Sequence, residues 1–438
     1  MKSLPSMSCA LGLLGALVVC GCGGENGETP VDNGTPEPTE ARSEKKQETN
    51  PAVTDAAFSE LVAGNNAFAM DLYQGLSAPS DNLFYSPLSI SVALAMTYAG
   101  AKGSSEAQMA QALHFTLPQD QLHPAMDKLI LDMAARNLAL HDTQEGPKAV
   151  KVNLTNAAWA QTGYQFLPTY LDTIAVNYDA GVKLLDFSKD PDAAASVIND
   201  WVAEKTEDKI QDLIPPGTLT PVTRLVLTNT LYFYANWAHC FVKESTADGP
   251  FHAPAGDVTV PMMQASLSTS WAEGDGWQMA ELPYEGGKLV MSVVLPDAGR
   301  FDEVRAKLTG DWIAQANGLA TQHMVTVRFP KFKFTWGSRS LVEQLKALGM
   351  IDPFDLSTAD FSGMTTSEKL FIADVLHKAF VGVDESGTEA AAATAVVMSG
   401  NAGPDKNLQV DRPFVFFIRD QATGTLLFVG QVADPSRS

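Results

Sequence analysis

Cysteine is nearly missing from most of this chain. Of four in 438 residues, Cys9, Cys20 and Cys22 stand within the first 22, which leaves Cys240 alone in the remainder. No disulfide framework can hold such a fold together. Basic charge is also short: 30 Lys+Arg face 51 Asp+Glu, giving a formal net charge of −21. A surface that acidic repels a phosphate backbone, so general nucleic-acid binding is excluded.

Catalytic groupings are missing as well. There is no His-Glu-x-x-His zinc helix, no paired Cys-x-x-Cys and no Gly-x-Ser-x-Gly elbow, and Gly100-Ala-Lys-Gly-Ser-Ser105 has the wrong spacing for a phosphate loop. The seven histidines are scattered. His239 beside Cys240 is half a metal site without a nearby third ligand, and a strand-end pair explains it more simply. Ser86, Ser89 and His377 can be drawn as nucleophile and base, but helix capping and core hydrogen bonding explain them at least as well. No metal, no cofactor and no enzymatic activity are expected.

What is present begins with an address. Lys2 is the only charge before Glu25, and residues 10–22 are apolar but too short to cross about 30 Å of hydrocarbon as a helix. The stretch reads as an export signal. Val19-Cys20-Gly21-Cys22 resembles the lipoprotein cleavage box of bacteria, in which a small residue precedes a cysteine that is diacylated and becomes the mature N-terminus. The resemblance implies removal of residues 1–21 and lipid attachment at Cys22. Cys20 is the alternative, with the bulkier Val19 before it, and free release after an ordinary signal is the remaining reading. Two acyl chains give durable anchoring where one does not. From Gly23 to Pro51 there are seven acidic residues, three basic ones and four prolines with almost nothing apolar. Residues 22–54 are therefore expected to form a flexible tether of some 30 Å. Residues 55–438 show no second linker and no internal repeat.

Apolar residues recur at helical spacing over 58–76, 88–99, 105–113, 125–140, 164–177, 193–206 and 339–348. Ser86-Pro87 places a capping residue before a proline at a first helical position, and Ser105-x-x-Gln108 has capping-box spacing. Runs rich in β-branched and aromatic residues over 225–234, 289–295, 324–334, 375–383, 413–418 and 426–432 read as strands. Helices dominate the first half and strands the second, an α+β order that disfavours a doubly wound nucleotide fold. Val325, Val327 and Phe329 alternate with polar neighbours, which predicts one covered face; residues 413–418 are apolar throughout and should be buried on both.

The oddest segment follows the strand at 375–383. Charge stops at Glu389 and resumes at Asp405, and from Thr388 to Val397 every side chain except Glu389 is small or β-branched. Composition leaves three plain readings open: an alanine-rich helix, a buried strand or a surface loop. Glu385-x-Gly387-Thr388-Glu389-Ala390-Ala391-Ala392-Ala393-Thr394 resembles the hinge of inhibitory serpins residue for residue. Asn82-Leu-Phe-Tyr-Ser-Pro-Leu-Ser-Ile90, Leu227-Thr-Asn-Thr-Leu-Tyr-Phe233 with Trp237, Val260-Pro-Met-Met263, Glu281-Leu-Pro-Tyr284, Asp374-Val-Leu-His-Lys-Ala379 and Asp411-Arg-Pro-Phe-Val-Phe416 follow in the order of that family.

The resemblance implies a serpin fold of three β-sheets and eight or nine helices, with an exposed reactive-centre loop at about 385–410. It also implies a suicide substrate of serine endopeptidases. The protease cuts the loop, the loop inserts into the largest sheet as a new strand, and the acylated protease is carried to the far pole and distorted. The hinge suits this role, because Gly387 supplies freedom at the turning point and alanines slide between strands without steric conflict. Thr388, Ala390, Ala392 and Thr394 would share the face that becomes buried. By the same resemblance Ser86, Ser89, Asn229 and His377 match a hydrogen-bonded cluster beneath the opening sheet, and Trp237 matches an aromatic residue near the point of first insertion. From Glu385 to Asn401 is 401 − 385 = 16 steps, roughly 53 Å when extended, enough to run the length of a sheet.

Family spacing puts the scissile bond between Asn401 and Ala402, with Gly400 and Met398 as alternatives. Asn suits an asparaginyl cysteine protease, and the alternatives suit elastase-like, subtilisin-like or chymotrypsin-like enzymes. No Arg or Lys lies between Val381 and Asp405, so trypsin-like targets are disfavoured. A heparin-type cofactor is disfavoured too, since residues 125–141 carry only Lys128 and Arg136. The second class of reading is a noninhibitory serpin-fold binding protein whose loop is merely a substrate. The expected protein is a monomer, exported and lipid-anchored to the cell envelope, or else secreted.

Overall fold

The computed structural model describes residues 37–389 and 404–437. Cys20 and Cys22, Ala390–Ala393, Thr394, Met398, Gly400, Asn401 and Ala402 lie outside the described residues.

Nine α-helices occur among the described residues: α1 Asp55–Leu76, α2 Pro87–Tyr98, α3 Gly103–Ala112, α4 Gln119–Ala134, α5 Pro168–Tyr178, α6 Pro191–Lys205, α7 Phe301–Lys307, α8 Gly310–Leu319 and α9 Val342–Ala347. The strands are β1 Thr39–Ala41, β2 Leu83–Tyr85, β3 Leu138–Thr143, β4 Gly146–Gln161, β5 Val182–Leu185, β6 Leu225–Asn236, β7 Ala247–Ala253, β8 Gly256–Gly274, β9 Trp277–Pro283, β10 Leu289–Pro296, β11 Thr321–Pro330, β12 Phe332–Ser340, β13 Asp374–Asp384, β14 Gly387–Thr388, β15 Lys406–Gln409, β16 Phe414–Asp420 and β17 Leu426–Val432.

They form an eight-stranded main sheet in the order β1-β5-β4-β6-β14-β13-β12, with β3 also on β4, and a nine-stranded ladder. Three branches of that ladder meet on the long strand β8: its first part pairs with β7, its middle with β11, which leads to β15, and its end with β9, which leads through β10, β16 and β17 to β2. The third sheet of the expected architecture is thus joined to the second through one continuous strand. Between the main sheet and the ladder lies the principal core, which includes α2, a helix buried on every face. A second, smaller core lies under α6 and gathers Trp159, Phe187, Ile198, Leu213, Val226 and Leu376.

Local chemistry explains where elements begin and end. The Ser86 hydroxyl accepts from Ser89 N at 3.2 Å with Pro87 at the first helical position, which starts α2 as its sequence predicts. The proposed capping box at Ser105 and Gln108 does not form. Helix α3 starts earlier, at Gly103; Ser105 Oγ accepts from Asp360 N, and Gln108 Oε1 accepts from Ile351 N and Asp352 N. The helix expected over 125–140 is α4, which stops at Ala134. Asn137 bonds the Ala134 carbonyl at 2.9 Å and accepts from Val152 N at 2.7 Å, so the chain turns into β3. Arg339, expected to open a helix, pairs with His377 in the sheet instead. The run 324–334 is two strands, β11 in the ladder and β12 in the main sheet.

The tether requires a correction over its second half. Residues 37–54 are not a free spacer but a strap across the molecule. Thr39–Ala41 pairs antiparallel with β5, Ser43 donates to Asp172 at 2.5 Å, Gln47 to Asp127 at 2.8 Å, and Glu48 N to Val176 O at 2.9 Å. At Gly181 an added Cβ would lie 2.6 Å from a Glu40 carboxylate oxygen and 2.9 Å from the Ala41 carbonyl, so the close approach needs glycine there. The segment has too few apolar residues to fold alone, but a finished surface supplies its backbone and side-chain partners, and docking offsets the entropy of ordering it.

Candidate functional site: a splayed cleft in the main sheet

Strands β6 and β13 are parallel neighbours that diverge along their length. They pair directly from Val226↔Asp374 to Asn229↔His377. Beyond that point β6 continues to pair with β4, and β13 with β12, while β14 occupies the gap between them at the far end. Gly387 lies opposite Asn236 and Asp384, and Thr388 opposite Ala235 and Val383. Between these two stretches, over residues 230–233 on one side and 378–381 on the other, no strand among the described residues lies between β6 and β13.

The upper end of the cleft is tied at many points. Trp237 N donates to Ser386 O at 2.9 Å, Trp237 Nε1 to Asp384 O at 3.0 Å, and Phe241 N to Glu385 O at 2.9 Å. The Glu385 carboxylate accepts from Lys331 at 2.6 Å and Thr246 at 2.8 Å. Burial opposes its ionisation, but those donors outweigh burial and hold the carboxyl below its ordinary range. Thr388, 2% exposed, shares a hydrogen bond with Tyr284 OH, whose ring stacks on Trp237 at 4.6 Å between centroids. At Gly387, with φ +156°, an added Cβ would sit 2.1 Å from the Ala235 carbonyl. Only glycine fits between the strands there.

At Glu389 the chain leaves the sheet. Its backbone is left-handed, with φ +60°, its N–H donates to Gly382 O at 2.6 Å, and its carboxylate pairs with Lys209 at 2.8 Å. Burial raises its affinity for the proton, and Lys209 offsets part of that effect.

At the closed end, four of the singled-out residues meet. His377 Nδ1 and Asn229 Oδ1 lie 2.6 Å apart, Ser86 N donates to His377 Nε2 at 3.2 Å, and Ser89 Oγ donates to Asn229 Oδ1 at 3.4 Å. A backbone N–H aimed at Nε2 makes that nitrogen the acceptor, so Nδ1 carries the proton. Burial lowers the His377 pKa to about 3, and the ring stays neutral with both nitrogens satisfied. Asn229 Nδ2 closes the group by donating to Leu376 O. This cluster lies at the level where direct pairing of β6 and β13 ends. Trp237 is at the other end, beside β14.

Some contributors had no sequence signal. Tyr284 lies in the Glu281-Leu-Pro-Tyr284 segment, but its place beneath Thr388 arises only from the bridge between Trp237 and Tyr284. Lys331 and Lys209 come from a strand connection and an irregular segment. Cys240, buried under Ser386, has its thiol pushed up to about 11 by burial. Among the described residues no group of three or more His, Cys, Asp or Glu is gathered as a metal site. Arg136 is bonded to buried Asp420 at 2.6 Å, and Lys128 to Asp132 at 3.0 Å.

The chain has close counterparts among known proteins. A family model described as Serpin (serine protease inhibitor) matches residues 63–435. An uncharacterized serpin-like protein of Thermococcus kodakarensis is 39% identical over 379 residues, covering 86% of each chain. The leukocyte elastase inhibitor of Equus caballus is 36% identical over 393 residues, covering 86% of this chain and all of the relative (100%). The native-state crystal structure of the thermophilic serpin tengpin superposes with a TM-score of 0.80 at 27% identity, over 91% of this chain and 100% of that one. With the hinge strand seated between β6 and β13 and the family model matched from α1 to the C-terminal strand, this chain belongs to the serpins, a family of protease inhibitors.

Proposed function

We propose that this serpin is inhibitory: a suicide substrate that traps an endopeptidase of the serine class by inserting its cleaved loop into the main sheet. The observation that carries the reading is β14. Two hinge residues already sit in register between β6 and β13, so insertion continues a strand that has begun. Each further residue moves one step down both neighbours. Residues 390–393 would then fill the interval between the two strands, and Thr394, six beyond Thr388, would arrive opposite Asn229 and His377, six before Ala235 and Val383. Small side chains would enter where no described strand lies, and resistance begins at the hydrogen-bonded cluster. Gain of a fully paired central strand then supplies the driving force.

The scissile bond in this reading is Asn401–Ala402, with Gly400 and Met398 as the other candidates. Targets are of elastase-like or subtilisin-like specificity, or an asparaginyl cysteine protease; the relatives named leukocyte elastase inhibitor favour the first. Lipid attachment at Cys22, or Cys20, would hold the inhibitor at a cell envelope as a monomer. Loss of acyl mass in Cys22→Ser but not Cys20→Ser distinguishes the two.

The test is incubation with elastase, subtilisin, chymotrypsin and an asparaginyl protease, followed by denaturing gels and mass spectrometry of the cut site. A denaturant-resistant complex is expected with at least one. Clean cleavage without a trapped protease in all four overturns the proposal for these targets and favours a noninhibitory binding role.

A further inference from the structure

At the end of the main sheet remote from the hinge lies a polar cavity of about 320 Å³ that the loop and its cleft do not use. Arg224 on its wall immediately precedes β6 and stands 236 − 224 = 12 steps from Asn236 at the hinge mouth, roughly 40 Å along the strand. Separate pieces of chain meet there: the end of β4 with the turn after it, the turn before α6, the residue before β6, and the segment that leads toward β13. The lining is hydroxyls, one amide and two charges.

Arg224 and Glu368 both line this cavity, and neither has an ion-pair partner among the described residues. Each is held from its own side. Arg224 Nη1 donates to the carbonyls of Pro221 and Thr223, both at 3.0 Å, which leaves Nε and Nη2 with no partner among the described residues. Glu368 Oε2 accepts from Tyr164 OH at 3.3 Å, and its segment is fixed to the turn after β4 by Thr365 Oγ1 donating to Gln165 O at 2.6 Å. Both charges bear on the same phenol: burial and then Glu368 push Tyr164 up, and Arg224 acts against them. A third wall is fixed too, since Gln161 donates to Asp186 at 2.8 Å and accepts from Ser188 N at 3.0 Å.

Opposite charges kept apart across a preformed polar space fit a ligand that carries both. A dianion such as phosphate would meet Glu368, and a simple cation would meet Arg224. We propose that this cavity binds a small zwitterion, an α-amino acid with a short or polar side chain, with its carboxylate on Arg224 and its ammonium on Glu368. The carboxylate would take Nε and Nη2 as a fork. The hydroxyls of Thr162, Ser188 and Ser367 would surround the rest, and the volume admits little more. Such a site needs no loop insertion to act.

The test uses the whole folded protein with glycine and L-serine as probes, against acetate and methylammonium at equal ionic strength. Binding is read by isothermal titration calorimetry and by the thermal midpoint. A saturable rise of about 2 °C is expected with either amino acid at about ten times its dissociation constant, and none with acetate or methylammonium. Arg224→Gln and Glu368→Gln should each weaken amino-acid binding about tenfold or more, with the unliganded midpoint unmoved. An unsaturable rise shared by both variants is a solvent effect and overturns the site. Acetate binding as well as glycine overturns the zwitterion. If a variant does not fold, the wild-type comparison of glycine with acetate decides alone: equal or absent heats overturn the proposal. Failure of protease trapping would leave every one of these readings in place, so the two failures are told apart.

Discussion

Thr388 and Tyr284 share a 2.6 Å hydroxyl–hydroxyl hydrogen bond in the buried mouth of the cleft, with the Tyr284 ring stacked on Trp237. The side chain at 388 therefore enters a buried space with Tyr284 as its polar partner. In Thr388→Arg a guanidinium would be stranded there at a cost of several kcal/mol. The expected result is cleavage of the loop at the wild-type rate with loss of protease complex on denaturing gels. Retained complex would count heavily against insertion.

Gly387→Ala tests the same entrance by sterics alone. The new Cβ has 2.1 Å to the Ala235 carbonyl, so β14 must leave its place or spread the strands. More inhibitor should be consumed per protease trapped, because displaced hinges insert late and deacylation wins. Titration of active protease against inhibitor gives that stoichiometry, and a wild-type value would show that the entrance is more yielding than its geometry.

Acid should destabilise this protein through two buried histidines. Burial lowers His377 to about 3 and His123 to about 4, against an ordinary 6.5. Below pH 6.5 the unfolded chain takes up these protons and the native one does not, so stability present above 6.5 is lost as pH falls toward 4 and 3. At pH 5 each histidine accounts for about 2 kcal/mol. Asp127 acts in the opposite sense: burial raises it to about 6, which adds about 1 kcal/mol to stability between pH 6 and 5. The net loss from pH 7.5 to 5 should be about 2–3 kcal/mol, seen as a lower urea midpoint. His377→Asn should remove about half of the histidine part of that pH dependence.

Truncation separates strap from spacer. Removing residues 1–36 should leave the thermal midpoint where it is. Removing 1–53 also deletes β1 and the contacts to Asp172, Asp127 and Val176, and should lower the midpoint by roughly 5 °C. Equal midpoints would mean that the strap contributes nothing measurable.

Sequence pattern located what rests on local chemistry. Ser86-Pro87 capped α2, the 413–418 run became β16, buried throughout, and the period-2 alternation of Val325, Val327 and Phe329 gave β11 its covered face. Strands β4 and β8 went unread because their residues alternate polar and small, and their partners lie far along the chain. The cleft was legible in kind through the hinge motif. Its shape was not, because the level at which β6 and β13 part depends on pairings with β4 and β12. Glu389–Lys209 and Glu385–Lys331 likewise join residues 180 and 54 positions apart, a distance no local pattern spans.

The strap has one more effect. Its three-residue strand covers the outer margin of β5, and Glu40 and Arg42 stand on or beside it. A margin that short and that charged offers little template for a foreign strand. A chain trimmed at 53 would present the bare backbone of Val182–Leu185 instead, and the same cut that loosens one molecule would give it a surface on which to collect others.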